Sequence, residues 1–267
     1  MQSSREPKRV FEAASAAYIA LDEKRSELWL HSGQHDKLTV FGADGTYSRT
    51  VVMKGLTRPR GFAMLPDSGH VVVADEYSSM VTEYDKDGQI VRGVAEVAKV
   101  RGLSIDGHGR VFACSPHIKR VEMYRNIGSD GLDHRRHFPT DGSAGSVVAV
   151  ATDSKGRVIA ADEQGNRVLI MDADGTIVAV IGPQISTDDN KSSLKQPCAL
   201  AVGLNDYIYV ADDSPFVRVF DPSGKLVDTF GGQGGSPGQF VRPGGIAVDS
   251  EGNVYVSDKV LPRVQVF

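Results

Sequence analysis

Cations and planar groups crowd the short segments between apolar runs in the first two thirds of the chain, where Arg58, Arg60, Lys99, Arg101, Lys119, Arg120 and Arg167 accompany Tyr77, His117 and Gln164. Such a mixture suits unpaired nucleic-acid bases. Aromatic rings and guanidinium planes stack on bases for about 1–3 kcal/mol each, while Arg and Lys hold phosphates. Gln164, Asn166 and Gln196 add amides able to read base edges. Other chemistries find less support. The histidines, His31, His35, His70, His108, His117, His134 and His137, are scattered, and Cys114 and Cys198 lie 84 positions apart with no second thiol near either. That spacing makes neither a disulfide framework nor a metal knuckle. There is no glycine loop leading into a helix and no paired-carboxylate signature in the channel. No catalytic residue, metal site or cofactor is therefore expected.

The elements that must position these groups are strands. Period-2 runs of Val, Ile and Tyr recur, and no window sustains a helical period of 3.6. Aligned, the runs form a repeating unit, clearest as GIAVDSEGNVYVSDKVLPRVQVF from residue 245 to 267. The position closing its second strand falls at Ser32, Asp75, Ser115, Asp162, Asp212 and Asp258, with every spacing between 40 and 50 residues. Six such units predict an all-β, six-bladed β-propeller of four-stranded antiparallel blades spanning 1–267 as one domain. D-x-x-G pairs such as Asp249 with Gly252 place a turn-forming carboxylate ahead of a glycine that can adopt positive φ, so they read as hairpin turns. The last unit stops at its third strand, Arg263 to Phe267, whereas an unassigned strand-like segment at about 8–13, including Val10 and Phe11, precedes the first unit. Pairing the two would close the ring, remove two open sheet edges and bury Val10 and Phe11.

In a propeller the second-to-third-strand loops and the links between blades share the upper face, and the hairpin turns share the lower. This sorts the charges: the lower turns carry Asp22, Glu23, Asp44, Asp85, Asp87, Asp172, Asp174 and Asp249, and the upper loops of units two to four carry the basic cluster. An arginine such as Arg167 or Arg263 could equally brace the neighbouring repeat aspartate. Tyr77 answers to no repeat-wide packing rule. Trp29 shares its slot with Phe112, Tyr209 and Tyr255 and reads as core between blades. Cys114 and Cys198 read as small buried side chains, and the insertion at 184–196 as a solvated loop.

The pattern P-x-G-I-A-V-D-x-x-G-x-V-Y-V-x-D, followed by R-V-Q-V-F, resembles the NHL repeat. The match is specific in units four to six and degenerate in one to three, where Ser32 and Ser115 replace the usual aspartate. The resemblance extends to the C-terminal domain of TRIM-NHL proteins, several of which bind single-stranded RNA through upper-face loops. It implies an RNA-binding domain acting in post-transcriptional regulation within a larger protein, with a uridine-rich preference. NHL propellers also occur in lyases, lactonases and bacterial sensors, so the site must carry the argument.

The RNA site expected is Arg58, Arg60, Tyr77, Arg101, His117, Lys119, Arg120, Gln164 and Arg167. A protein-interaction platform, such as substrate recognition for a ubiquitin ligase, is the rival, because Arg and Tyr are also hot-spot residues of protein interfaces. A propeller lyase or lactonase ranks behind both, because the first strands of the units offer no inward histidine or carboxylate. With 40% hydrophobic residues, 24% charged residues and a net charge of −4, the chain is globular and lacks the overall basic footprint of a duplex-DNA binder. No apolar stretch nears the roughly 18 residues of a membrane span, and no secretory signal opens the chain, so a cytoplasmic location without membrane partners is expected.

Overall fold

The computed structural model describes residues 5–14, 16–31, 36–126, 132–138, 142, 144–182 and 193–267, with backbone alone at 126 and 132–135. Twenty-four strands form six four-stranded antiparallel sheets. After a first strand, β1 (Arg9–Glu12), blade 1 holds β2 (Tyr18–Asp22), β3 (Glu27–His31), β4 (Lys37–Gly42) and β5 (Tyr47–Val52). Blade 2 holds β6 (Pro59–Met64), β7 (Val71–Asp75), β8 (Met80–Tyr84) and β9 (Ile90–Glu96), and blade 3 holds β10 (Gly102–Ile105), β11 (Val111–Ser115), β12 (Arg120–Asn126) and β13 (Leu132–Phe138). Blade 4 comprises β14 (Val147–Thr152), β15 (Val158–Asp162), β16 (Arg167–Met171) and β17 (Ile177–Ile181), and blade 5 comprises β18 (Ala199–Val202), β19 (Ile208–Ala211), β20 (Phe216–Phe220) and β21 (Leu226–Gly231). Blade 6 joins β22 (Pro243–Val248), β23 (Val254–Asp258) and β24 (Arg263–Val266) to the first strand of the chain, β1 (Arg9–Glu12). Among the described residues no helix is long and apolar enough to cross a membrane.

The ring closes as the repeat count requires: Arg9 pairs with Val266, Val10 with Gln265, Phe11 with Val264 and Glu12 with Arg263. The expected burial of Val10 is corrected by the structure. Val10 is 39% exposed, because the pleat sends it to the outer side while Phe11 turns inward, its ring 5.4 Å from that of Phe41. A second lock lies deeper, where the buried Ser257 hydroxyl donates to the Ala16 carbonyl at 2.8 Å and accepts from the Gly245 N–H at 2.8 Å.

Each hairpin turn obeys its local chemistry. Asp85 Oδ1 accepts the N–H groups of Asp87 and Gln89, both at 2.9 Å, and Gly88 takes φ +81° where a Cβ would stand 2.1 Å from the Val52 carbonyl oxygen. The same carboxylate pattern recurs at Asp106, Asp153, Asp172, Asp221 and Asp249. Apolar faces of adjacent blades then interlock in six clusters; Trp29 is buried between blades 1 and 2 with Leu38, Val40, Phe62, Met64 and Val73, as its strand slot predicts. The innermost strands β2, β6, β10, β14, β18 and β22 pack around a central channel lined by Ile19, Phe62, Leu103, Val150, Leu200 and Ile246.

Candidate functional site

The upper face is built on the repeat aspartates, which tie each blade-to-blade link to the loop after the second strand. Asp75 accepts from the N–H groups of Thr57, Arg58, Tyr77 and Ser78 and from the Thr57 hydroxyl. Burial pushes its carboxyl up, but these donors outweigh the burial and hold it below the ordinary carboxylate value. Asp162 accepts from Gly145, Ser146 and Gly165, and Asp258 from Val241, Arg242, Val260 and Leu261. Asp212, one residue beyond β19, accepts from Lys195 and Ser214 and pairs with the fully buried Arg218. In blade 3 a hydroxyl takes over: Ser115 Oγ donates to the Ala98 carbonyl and accepts from the His117 N–H. Ser32 lies outside the described residues. The loops that carry Tyr77, His117 and Gln164 are therefore backbone-locked rather than free.

Onto this frame the structure adds an inner set of carboxylates that sorting the charges by loop did not anticipate. Glu76, directly after the repeat aspartate of blade 2, gathers three arginines: Arg60 Nε at 2.8 Å, Arg58 Nε at 3.2 Å and Arg101 Nε at 3.9 Å. Arg101 also donates to Glu163 of blade 4 at 3.5 Å, so it spans blades 2, 3 and 4. Asp213, in the equivalent place in blade 5, pairs with Arg242 at 2.7 Å. Burial works to raise the Glu76 carboxyl, but the Arg60 hydrogen bond and the charges of Arg60, Arg58 and Arg101 hold it below its ordinary value. The signal was present as A-D-E at 74–76 and 161–163, and A-D-D at 211–213. Its meaning depended on which arginine the ring brings opposite.

The expected site residues separate accordingly. Tyr77 is 73% exposed, and its blade-2 neighbour Arg58 remains more than half exposed despite Glu76. In blade 3, His117 and Lys119 are exposed, and Arg120 is partly exposed with Nε 2.5 Å from the buried Glu122. Gln164 is exposed in blade 4. Arg60 and Arg101 lie deeper at the channel mouth, and Arg167 is drawn into the repeat frame, with Nε 3.0 Å from Asp162. That is the bracing arrangement weighed from the sequence. Arg263 likewise donates to the carbonyls of Gly235, Ser236 and Gln239.

The two thiols differ. Cys114 is buried and burial pushes its thiol up to about 12. Cys198 is corrected from buried to half-buried: it lines the upper channel mouth, where Lys259 Nζ donates to its Sγ at 3.1 Å. Among the described residues no three or more His, Cys, Asp and Glu side chains group as metal ligands would. Of the insertion at 184–196, residues 184–192 lie outside the described residues.

The sequence pattern of the NHL repeat matches residues 240–267, which is blade 6 without its closing strand. No curated protein sequence matches the chain. Solved structures do. A streptogramin B lyase superposes with a TM-score of 0.69 at 10% identity, covering 97% of this chain and 96% of that one. Virginiamycin B lyase from Staphylococcus aureus gives 0.65 at 12% identity over 93% and 78%. An auxiliary nutrient binding protein from Bacteroides thetaiotaomicron gives 0.73 at 15% identity over 96% and 69%. At such identities the likeness shows the shared architecture alone. The chain is thus a six-bladed β-propeller with an NHL repeat in its final blade.

Proposed function

We propose that this chain is a binding platform whose upper face docks an acidic segment of a protein partner, with Tyr77 as the anchor. The observation that carries this reading is Tyr77 itself, 73% exposed on a loop whose own N–H is held by Asp75 at 3.0 Å. An exposed tyrosine on pre-ordered backbone buries a large area on binding with little loss of conformational freedom. Around it Arg58, Lys99, Lys119 and Arg120 stay at the surface and supply complementary charge. Glu76, the carboxylate at the centre of the arginine cluster, is held below its ordinary value, which suits it to pairing with the arginines rather than to acting as a general acid near neutrality.

Single-stranded RNA is the second reading, favoured by exposed rings at Tyr77 and His117 alongside Arg58 and Arg120. It draws on the same exposed cations as the platform, because Arg60, Arg101 and Arg167 already face carboxylates that a phosphate or a peptide carboxylate would have to displace. A displayed library of acidic peptides and a random single-stranded RNA pool, each selected on wild type and on Tyr77→Ala, decide between the two. Enrichment of peptides lost on Tyr77→Ala supports the platform. Retention of RNA alone, dependent on Tyr77 and weakened by salt, replaces it with the RNA reading. Binding of either that is indifferent to Tyr77 removes the upper face from both.

A further inference from the structure

The lower face is acidic along most of its rim. At the junction of blades 6 and 1, a cleft of about 330 Å3 is lined by Asp22, Glu23, Asp44, Asp249 and Glu251, with Arg9 as its one cation. Between blades 3 and 4 the character reverses. A cleft of about 750 Å3 there presents Arg110, Arg125 and Arg136 above Phe112, Met123 and Phe138, with Asp174 the one carboxylate in the lining. Its volume falls in the range of roughly 300–1,000 Å3 typical of small-molecule sites.

The strands explain the opening. β12 and β13 each run seven residues, whereas β16 and β17 of blade 4 run five, so blade 3 overhangs its neighbour. The rings of Phe112 and Phe138, 6.0 Å apart, lie buried beneath the cleft, and the partly exposed Met123 is the apolar side chain that reaches its surface. The guanidinium groups are placed rather than loose. Arg110 Nε is held by Asp106 at 2.5 Å with its guanidinium carbon 5.7 Å from the Phe112 ring centroid. Arg136 bonds the Ala173 carbonyl and pairs at 3.2 Å with Asp174, which is 86% exposed. So exposed a pair contributes at most about 1 kcal/mol, and an arriving anion can take its place. Arg125 stands exposed on the same wall.

We propose that this cleft binds an aromatic anion, a ring bearing a phosphate or carboxylate, with the ring against Met123 and the anionic group on Arg125 and Arg136. Met123 beside the exposed guanidinium groups of Arg125 and Arg136 favours both features together, because a bare anion leaves Met123 wet and a neutral ring gains no charge-assisted bond from the arginines. The site lies on the opposite face from the proposed docking surface and is independent of it.

The test is titration of the whole chain by calorimetry with phenyl phosphate and with benzoate, using inorganic phosphate and benzyl alcohol as anion-only and ring-only controls. At least one aromatic anion should bind about tenfold more tightly than both controls, and whichever of the two binds better identifies the anionic group. Arg125→Ser combined with Arg136→Ser should weaken that binding at least about fivefold with an unchanged melting temperature, and Arg125→Lys with Arg136→Lys should retain most of it. Absence of saturable binding by either aromatic anion up to about 10 mM, equal binding of inorganic phosphate, or indifference of a folded double-serine variant overturns the proposal.

Discussion

Arg60 Nε donates to Glu76 Oε2 at 2.8 Å, an ion pair in which both side chains are largely buried at the centre of the arginine cluster. Glu76 lies below its ordinary value of 4.5 in the folded chain. A carboxyl so depressed contributes stability above pH 4.5, and that contribution is lost as pH falls through the folded value. Glu27, lowered chiefly by its hydrogen bond from Arg49, and Asp75, lowered by its backbone donors against burial, act in the same direction. Urea unfolding should therefore show stability falling on acidification below about pH 4.5, and Glu76→Gln should both destabilise at neutral pH and flatten the acid arm. An acid arm as steep in Glu76→Gln as in wild type would show that the arginine cluster does not depend on this carboxylate.

Asp212 and Arg218 form a more deeply buried pair, with Nη1 and Oδ2 2.6 Å apart and both side chains essentially inaccessible. Removing either partner alone strands a charge in the blade. Arg218→Met and Asp212→Asn should each cost about 3–5 kcal/mol, while Asp212→Asn combined with Arg218→Met should cost less than their sum. Denaturant curves of the four proteins give the coupling directly, and additivity would count against a closed pair.

Deleting residues 1–14 removes β1 and leaves β24 with an unpaired edge. A melting temperature lower by several degrees, or aggregation, is expected. Phe11→Ala should reproduce part of the loss and Val10→Ser almost none, because only Phe11 packs against blade 1. Equal effects of the two substitutions would contradict the observed pleat.

Alkylation should distinguish the thiols. In the native chain iodoacetamide should label Cys198 and spare Cys114, whose thiol is buried and pushed up to about 12, and both should react after unfolding. Mass spectrometry of labelled peptides reads the result; native labelling at Cys114 would mean that blade 3 opens to solvent.

The ring is legible in the residues alone. Period-2 alternation, D-x-x-G turns and a repeat of 40 to 50 residues are local signals, and six copies with a leftover strand admit one closed arrangement, including the pairing of residues near 10 with those near 265. Trp29 was legible as core for the same reason, since its slot repeats in every blade. The fate of each charge was decided only by tertiary structure. Arg101 meets Glu163 across 62 residues, and Arg167 folds onto Asp162 while Arg58 stays out. Those outcomes depend on which blades the ring makes neighbours and on how far each loop leans. The basic cleft between blades 3 and 4 arises likewise from an overhang of strands of unequal length, and no residue type in the lower turns announces it. Repeats encode the frame through short-range geometry. The working surface comes from pairing between side chains distant in sequence, which exists only once the frame has closed.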